Sequence, residues 1–346
     1  MAKDYRLAIV GVQHSHVGSL AKWAGELPNV TIVAVADPDR ERAQAVADKN
    51  GVDAVYEDHE KLLSEQDVDI VLCCSENSRH LTVTQSAMAA GCHVLVEKPM
   101  AASFQGALDM LLCARKADRT LMVNWPSAWN VSFRKMAQLV HEGAVGKVFC
   151  IRSRYGHGGP DRGLPPEERG ARWWYNEALG GGALLDFCCY GVNLSRWFLG
   201  VSPTAVTGMA DRLVHDFGDV EDNAILLVRY PDAICSFEAT WSQPAGDGLN
   251  GPVVFGSEGT LLAATQDGRE GVLLKRSNED IQFIPGEDPA SGHRSGPEHL
   301  VHCLETGEPL FTPVTPEVNL EVIAVLQAGE SAARTGQTVQ LPPFEV

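Results

Sequence analysis

The first third of the chain repeats one pattern: a short apolar run, a segment of helical spacing, then another apolar run. Strands are expected over residues 6–11, 31–37, 54–55, 70–74, 93–96 and 120–124, with helices over 17–27, 39–50, 80–90 and 104–117. Asp39 is placed to cap the second helix and Gly51 to stop it. Strand and helix alternating in this way, with short apolar strands, call for a parallel, doubly wound sheet. A chain of 346 residues has room for a second domain.

The pattern changes near residue 148. Longer strands are expected over 148–155, 203–213, 223–230, 233–240, 253–255, 260–264 and 271–275, separated by turn signals. That spacing implies an antiparallel sheet. Helices are expected over 132–142, 184–199 and 317–335, and residues 156–170, rich in Gly, Pro and charge, as a loop. The expected fold class is therefore α/β in the first domain, residues 1–124, and α+β on an open, mostly antiparallel sheet in the second, 125–346. The last helix could instead pack back on the first domain.

A net charge of −17 argues against a nucleic-acid partner, which needs a positive footprint. No segment approaches the ~20 uninterrupted apolar residues of a membrane span. The start runs straight into a strand, leaving no room for a signal peptide. The nine cysteines include the adjacent pairs Cys73-Cys74 and Cys188-Cys189 and no CxxC spacing. Reduced thiols in a cytoplasm are expected.

The residues that carry chemistry sit at strand ends. The first strand-to-helix turn reads Gly11-Val12-Gln13-His14-Ser15-His16-Val17-Gly18. A dinucleotide-binding turn normally reads GxGxxG. Only Gly11 is in place; Gln13 and His16 stand where the other glycines would be. The helix N-terminus can still offer backbone N–H groups to a pyrophosphate. His14 and His16 invite a metal reading, but no carboxylate and histidine set in the sequence completes one, so no metal is expected. Asp37 ends the second strand, where an acidic residue bonds the adenosine ribose and repels a 2′-phosphate. NAD is expected over NADP. Glu97-Lys98-Pro99 closes an apolar strand, Val94-Leu95-Val96, placing Lys98 at the carboxyl edge where α/β sheets bind ligands.

The succession of Gly11 turn, Asp37, Glu76-Asn77-Ser78-Arg79-His80, Ala90-Gly91-Cys92-His93-Val94 and Glu97-Lys98-Pro99 resembles the Gfo/Idh/MocA oxidoreductase family. Gly180-Gly181-Gly182-Ala183-Leu184-Leu185-Asp186, Val220-Glu221-Asp222-Asn223-Ala224 and Phe255-Gly256-Ser257-Glu258-Gly259-Thr260 extend the resemblance over essentially the whole chain. It implies an N-terminal Rossmann domain and a C-terminal substrate domain on an open sheet. It also implies an enzyme that moves hydride between NAD(H) and a carbinol or carbonyl carbon of a sugar, cyclitol or related polyol. Cofactor contacts are implied at Gly11, Gln13, His14, Ser15, His16, Asp37, Cys74, Ser75, Asn77, His80, Glu97 and Lys98, with helix capping the alternative for His80. Lys98 matches the family lysine at the reacting hydroxyl, and Pro99 a proline that often follows a cis peptide.

Most members carry D-x-G-x-H; this chain reads Asp186-Phe187-Cys188-Cys189-Tyr190. Tyr190 at that position resembles the branch of glucose–fructose oxidoreductase and the dimeric dihydrodiol dehydrogenases, with Tyr190 as proton relay and Asp186 orienting Lys98 or a substrate hydroxyl. Asp186 and Tyr190, four residues apart, are expected on one helix face. Substrate contacts are expected from Trp125, Tyr155, His157, Arg172, Trp173 and Asn193, with packing the alternative for the Trp173-Trp174 pair and an acid/base role the alternative for His157. A homodimer or homotetramer through the C-terminal sheet follows by family analogy. Two rival readings are an NAD-retaining enzyme that cleaves a glycosidic bond through transient oxidation, and a non-catalytic NAD or sugar sensor.

Overall fold

A computed structural model describes residues 3–244 and 250–344. By contacts the chain divides into two units. The first holds residues 1–125 and 290–320; the second holds 126–289 and 321–346. The sequence division at 124/125 left residues 290–320 in the second domain, whereas the contacts group them with the first.

The first unit is a six-stranded parallel sheet. Its strands are β1 (Tyr5–Val10), β2 (Val30–Ala36), β3 (Val55–Tyr56), β4 (Ile70–Cys73), β5 (His93–Glu97) and β6 (Leu121–Asn124), in the order β3-β2-β1-β4-β5-β6. The order reverses between β1 and β4, which makes their carboxyl ends the natural ligand crevice. The crossovers are α1 (Val17–Gly25), α2 (Arg40–Asn50), α3 (His59–Glu65), α4 (His80–Ala89) and α5 (Phe104–Ala117). Asp39 caps α2 by accepting from Arg42 N at 3.1 Å, and Gly51 ends it in the left-handed region. Small side chains let the layers approach: Ala8, Ala34, Ala36 and Leu62 form one buried cluster. The seven residues of α3 are too few to show a period in the sequence.

The second unit opens with α6 (Val131–His141) and β7 (Val148–Gly156). A short α7 (Pro166–Gly170) interrupts the segment expected as a loop. Then come α8 (Cys189–Leu199), β8 (Ala205–Asp211), β9 (Asn223–Arg229), β10 (Ile234–Thr240), β11 (Gly251–Gly256), β12 (Gly259–Gln266), β13 (Arg269–Arg276) and β14 (Gln282–Pro285). After α9 (Gly296–Thr306), which belongs to the first unit, the chain runs through α10 (Pro316–Thr335) to β15 (Val339–Gln340). The sheet order is β14-β13-β12-β11-β7-β10-β9-β8-β15, antiparallel except where β10 pairs with β7. Both sheets match the expected fold class. The sequence reading omitted α9, although Ser295 and Glu298 form a capping pair before an apolar run: Ser295 Oγ accepts from Glu298 N at 3.3 Å.

Candidate active site

In the first unit, the strand ends gather the expected residues. Gly11 takes φ +77°, and a Cβ there would lie 2.4 Å from Ser75 N. Only glycine lets β1 pass this close to the end of β4. The following turn is fastened by Gln13 N and His14 N, both donating to Cys74 O at 3.1 Å. Asp37, buried at the end of β2, accepts from Val12 N (2.8 Å), Gln13 Nε2 (3.0 Å) and Asp39 N (2.8 Å). Gln13 in turn accepts from Arg42 at 2.5 Å. The side chain in the second glycine position therefore lies across Asp37. A small cleft lined by Gly11, Asp37, Pro38, Ser75 and Arg79 lies at the switch point. The close Gly11 approach, the acid at β2 and this cleft fit the adenosine half of a dinucleotide. Arg42 was not singled out in the sequence, because nothing in its helix marks it, and Arg79 entered only as part of the Glu76–His80 motif.

Glu97 and Lys98 emerge from β5 fully buried, Lys98 at 2% exposure, and the Lys98–Pro99 bond is cis. Glu97 accepts from Asn124 Nδ2 at Oε1 (2.5 Å) and from Lys98 N at Oε2 (3.1 Å), and His16 Nδ1 lies 3.2 Å from that same Oε2. Burial pushes the Glu97 carboxyl up, but His16, His14 and Lys98 outweigh it and hold the pKa at about 2. The sequence showed no carboxylate to accompany His14 and His16; the topology supplies one. β5 lies two strands from β1, and the ligating atoms of His14, His16 and Glu97 fall within 4.8 Å of one another. Asn124, in register with Glu97 on β6, was missed although the parallel order predicts the pairing.

His80 does not face the crevice with a spare ring nitrogen. Nε2 lies 3.2 Å from Ser75 O, and Nδ1 lies 3.2 Å from both Pro99 O and Met100 O. Burial lowers its pKa. It ties the end of β4 to the turn after Lys98, which is a positioning task. Asn77 is buried beside it in a 3₁₀ turn, Asn77–Arg79, and Ser15 is exposed in the first turn. Trp125 is fully buried and donates from Nε1 to Asn319 Oδ1 at 2.6 Å, which places it in the core.

In the second unit, the expected single helix over 184–199 is a π-helical turn, Leu184–Cys188, followed by α8. Asp186 lies in the π turn and Tyr190 just inside α8, so the simple i,i+4 geometry does not apply. Such turns recur at functional sites. The three glycines before it have a steric cause. A Cβ on Gly181 would lie 2.1 Å from Trp174 O, and one on Gly182, at φ +115°, 2.6 Å from Glu221 Oε1. Glu221 meanwhile accepts from Leu184 N at 2.8 Å, capping the turn.

Around this turn lies an aromatic group. Tyr155 and Tyr190 rings are 4.6 Å apart, and His157 meets Phe187 edge-on at 4.9 Å. Asp186 Oδ2 accepts from Trp241 Nε1 at 3.1 Å. His157 Nδ1 accepts from Gly159 N at 2.9 Å, which sets its tautomer and leaves Nε2 as the donor. The Tyr155 hydroxyl is buried and has no hydrogen-bond partner among the described residues. Burial pushes its pKa well above the usual value, so it remains a donor. Trp173 and Trp174 stack at 3.7 Å, both buried, and Arg172 Nε lies 3.8 Å from Asp161. Asn193 is fully buried within α8. Cys188 packs against Phe237 O with its thiol pKa raised by burial, which is no setting for redox chemistry. Trp241 and Phe187 were missed; Trp241 follows β10 with no motif to mark it.

A switch-point crevice built on Gly11 and Asp37 defines a dinucleotide-dependent α/β enzyme class. Residues 5–125 match the oxidoreductase family with an NAD-binding Rossmann fold, and residues 133–262 match the GFO/IDH/MocA C-terminal domain. The chain belongs to the Gfo/Idh/MocA oxidoreductase family. It is 28% identical to 1,5-anhydro-D-fructose reductase of Ensifer adhaerens over 94% of both chains. It is 23% identical to scyllo-inositol 2-dehydrogenase (NAD(+)) of Bacillus subtilis over 99% of this chain and 97% of that one. Among solved structures, aldose-aldose oxidoreductase from Caulobacter crescentus, complexed with glycerol, superposes with TM-score 0.83 at 26% identity, covering 98% of this chain and all of that one.

Proposed function

We propose that this oxidoreductase acts on a secondary hydroxyl, or the matching carbonyl, of a sugar, cyclitol or related polyol, with NAD preferred over NADP. A bound nicotinamide would supply or accept the hydride. Tyr190 moves the hydroxyl proton, Lys98 offsets the negative charge that develops on the substrate oxygen, and Asp186 orients the reacting group. Asp186 is held for that task by Trp241. Glu97 and His80 hold the turn that carries Lys98. Gly11, Asp37 and Ser75 hold the adenosine half, and the Asp37 carboxylate repels a 2′-phosphate.

The observation that carries the reading is the Tyr155 hydroxyl, buried beside Tyr190 without a partner among the described residues. Leaving a hydroxyl so costs about 1–3 kcal/mol. A polyol hydroxyl arriving there recovers that energy, and the Phe187 and His157 faces suit a carbohydrate ring. Family relatives acting on sugars and inositols agree with this substrate class.

The test is a panel of aldoses, anhydro sugars and cyclitols, scanned with each nicotinamide cofactor for reduced-cofactor absorbance. Tyr190→Phe is expected to lower kcat by ~10²–10⁴, the usual worth of a general acid/base. Near-normal turnover in that variant removes Tyr190 from the mechanism.

A second copy is proposed to cover the outer face of the nine-stranded sheet. The face opposite α6 and α8 exposes Met209, Ile225, Leu227, Ile234 and Leu262, crossed by Arg154 and Arg152 paired with Glu238. An apolar surface on β8, β9 and β10 edged by ion pairs suits an interface. No helix of the described residues is long and apolar enough to cross a membrane. Nine free cysteines, seven of them buried, suit a reducing compartment, and a cytoplasmic location is proposed on that ground.

A further inference from the structure

We propose that the first unit carries a transition-metal site, apart from the cofactor crevice, formed by His293, His302 and Glu308. The three residues come from the turn before α9, from α9 itself and from the loop after it. Their ligating atoms lie within 4.8 Å of one another. Glu308 faces each imidazole with a different oxygen: Oε2 is 2.8 Å from His302 Nε2, and Oε1 is 3.6 Å from His293 Nε2. Ligands around a tetrahedral zinc, with bonds of about 2.0–2.2 Å, stand about 3.4 Å apart. The 3.6 Å pair lies near that figure, and the 2.8 Å pair is a hydrogen bond that an ion would replace as the carboxylate moves back slightly. Two histidines and one carboxylate leave a fourth position for water, the donor set of an open zinc or nickel site.

The arrangement is built from beneath. His299, on α9 and fully buried, binds both flanking loops through its ring. Nε2 accepts from Phe311 N at 3.1 Å, so Nδ1 carries the hydrogen and donates to Gly292 O at 3.0 Å. One side chain thus holds the turn bearing His293 and the loop bearing Glu308 against the helix bearing His302. Glu298 fastens the same turn by accepting from Gly292 N (3.1 Å) and Arg294 N (2.9 Å). Gly292 itself, at φ +86°, lies on the His302 ring: a Cβ there would be 2.5 Å from Cγ and 2.6 Å from Nδ1. The turn therefore packs on the Nδ1 side of His302 and leaves Nε2 toward Glu308. These bonds fix the backbone that carries the three candidate ligands. The neighbouring cleft carries Glu26, Glu298 and Glu305 against one cation, Arg294, a net negative lining that draws a cation.

The bound ion would clamp two loops to α9. Gly296, the first residue of that helix, packs so that a Cβ would lie 2.6 Å from Asn124 Oδ1, and Asn124 donates to Glu97. Metal binding is therefore expected to stiffen support for the Lys98 turn rather than to take part in chemistry.

The experiment is calorimetric titration of the chelator-stripped full chain with zinc chloride, alongside absorption spectra with cobalt(II). About one equivalent is expected to bind with micromolar or tighter affinity, giving a cobalt spectrum of nitrogen and oxygen ligation. Glu308→Gln and His293→Ala, both near the surface, are expected to weaken binding about 100-fold or more while circular dichroism stays unchanged. His16→Ala is expected to leave it intact. Absence of saturable binding, binding that survives both variants, loss of binding in His16→Ala, or a cobalt–thiolate band would each overturn the proposal.

Discussion

Glu97→Gln probes the junction between fold and function. The native carboxylate receives Asn124 Nδ2, Lys98 N and the His16 ring, and it is fully buried. Glutamine keeps the shape but offers one acceptor oxygen and places an NH₂ against a donor. Losing a charge-assisted bond costs about 1.5–3 kcal/mol, and the donor left facing an NH₂ adds to it. The pH linkage gives a second route to the magnitude. The carboxyl pKa is held at about 2 against an ordinary 4.5, which at about 1.36 kcal/mol per pH unit corresponds to about 3 kcal/mol. Glu97 is fully buried, so solvent does not screen these contacts. Because the folded pKa is depressed, the contribution is complete above pH 4.5 and disappears as pH falls through about 2. Urea unfolding of both proteins, followed by fluorescence, is expected to show the variant about 3 kcal/mol less stable at pH 7, with the gap narrowing below pH 4. NAD affinity is expected to fall with it, since His16 belongs to the first turn. A difference under about 0.5 kcal/mol at pH 7, or a gap unchanged at pH 3, refutes the electrostatic account of this residue.

Gly11→Ala forces a Cβ to 2.4 Å from Ser75 N at φ +77°, so NAD binding is expected to weaken at least ~10-fold, with a loss of about 1–3 kcal/mol in stability; normal affinity by fluorescence titration contradicts the cradle. Asp37→Ala removes the carboxylate that repels a 2′-phosphate, and the kcat/KM ratio for NADP over NAD is expected to rise; an unchanged ratio counts against the NAD preference. Glu330 has its pKa raised to about 7 by burial first and by Glu221 second, so its stabilising protonated form is complete below pH 4.5 and lost as pH rises through 7. Glu330→Gln is expected to gain up to about 3 kcal/mol at pH 8 and nothing at pH 4; equal gains at both pH values exclude the linkage.

Much of this protein was legible along the chain because its signals are local. The apolar run ending in Glu97-Lys98-Pro99, the Asp39 cap and the Gly51 stop depend on neighbours within a few residues, and the structure places each where spacing put it. The α9 helix was legible too, through Ser295 and Glu298, and was passed over. The π turn at Leu184–Cys188 was not, and the carboxylate of Glu221 that caps it stands thirty-seven positions away.

What the sequence by itself determined is the class of each layer: a parallel doubly wound sheet, an antiparallel partner, and chemistry at strand ends. Periodicity and capping set these, and both act over one or two turns. Only the tertiary structure decided the company each side chain keeps. It laid Gln13 across Asp37, brought Glu97 from β5 to the two histidines after β1, and used His80 to fasten the Lys98 turn. It also set Trp241 on Asp186. These contacts join residues far apart in the chain, and sheet order and close packing, neither visible in local spacing, choose which of them meet.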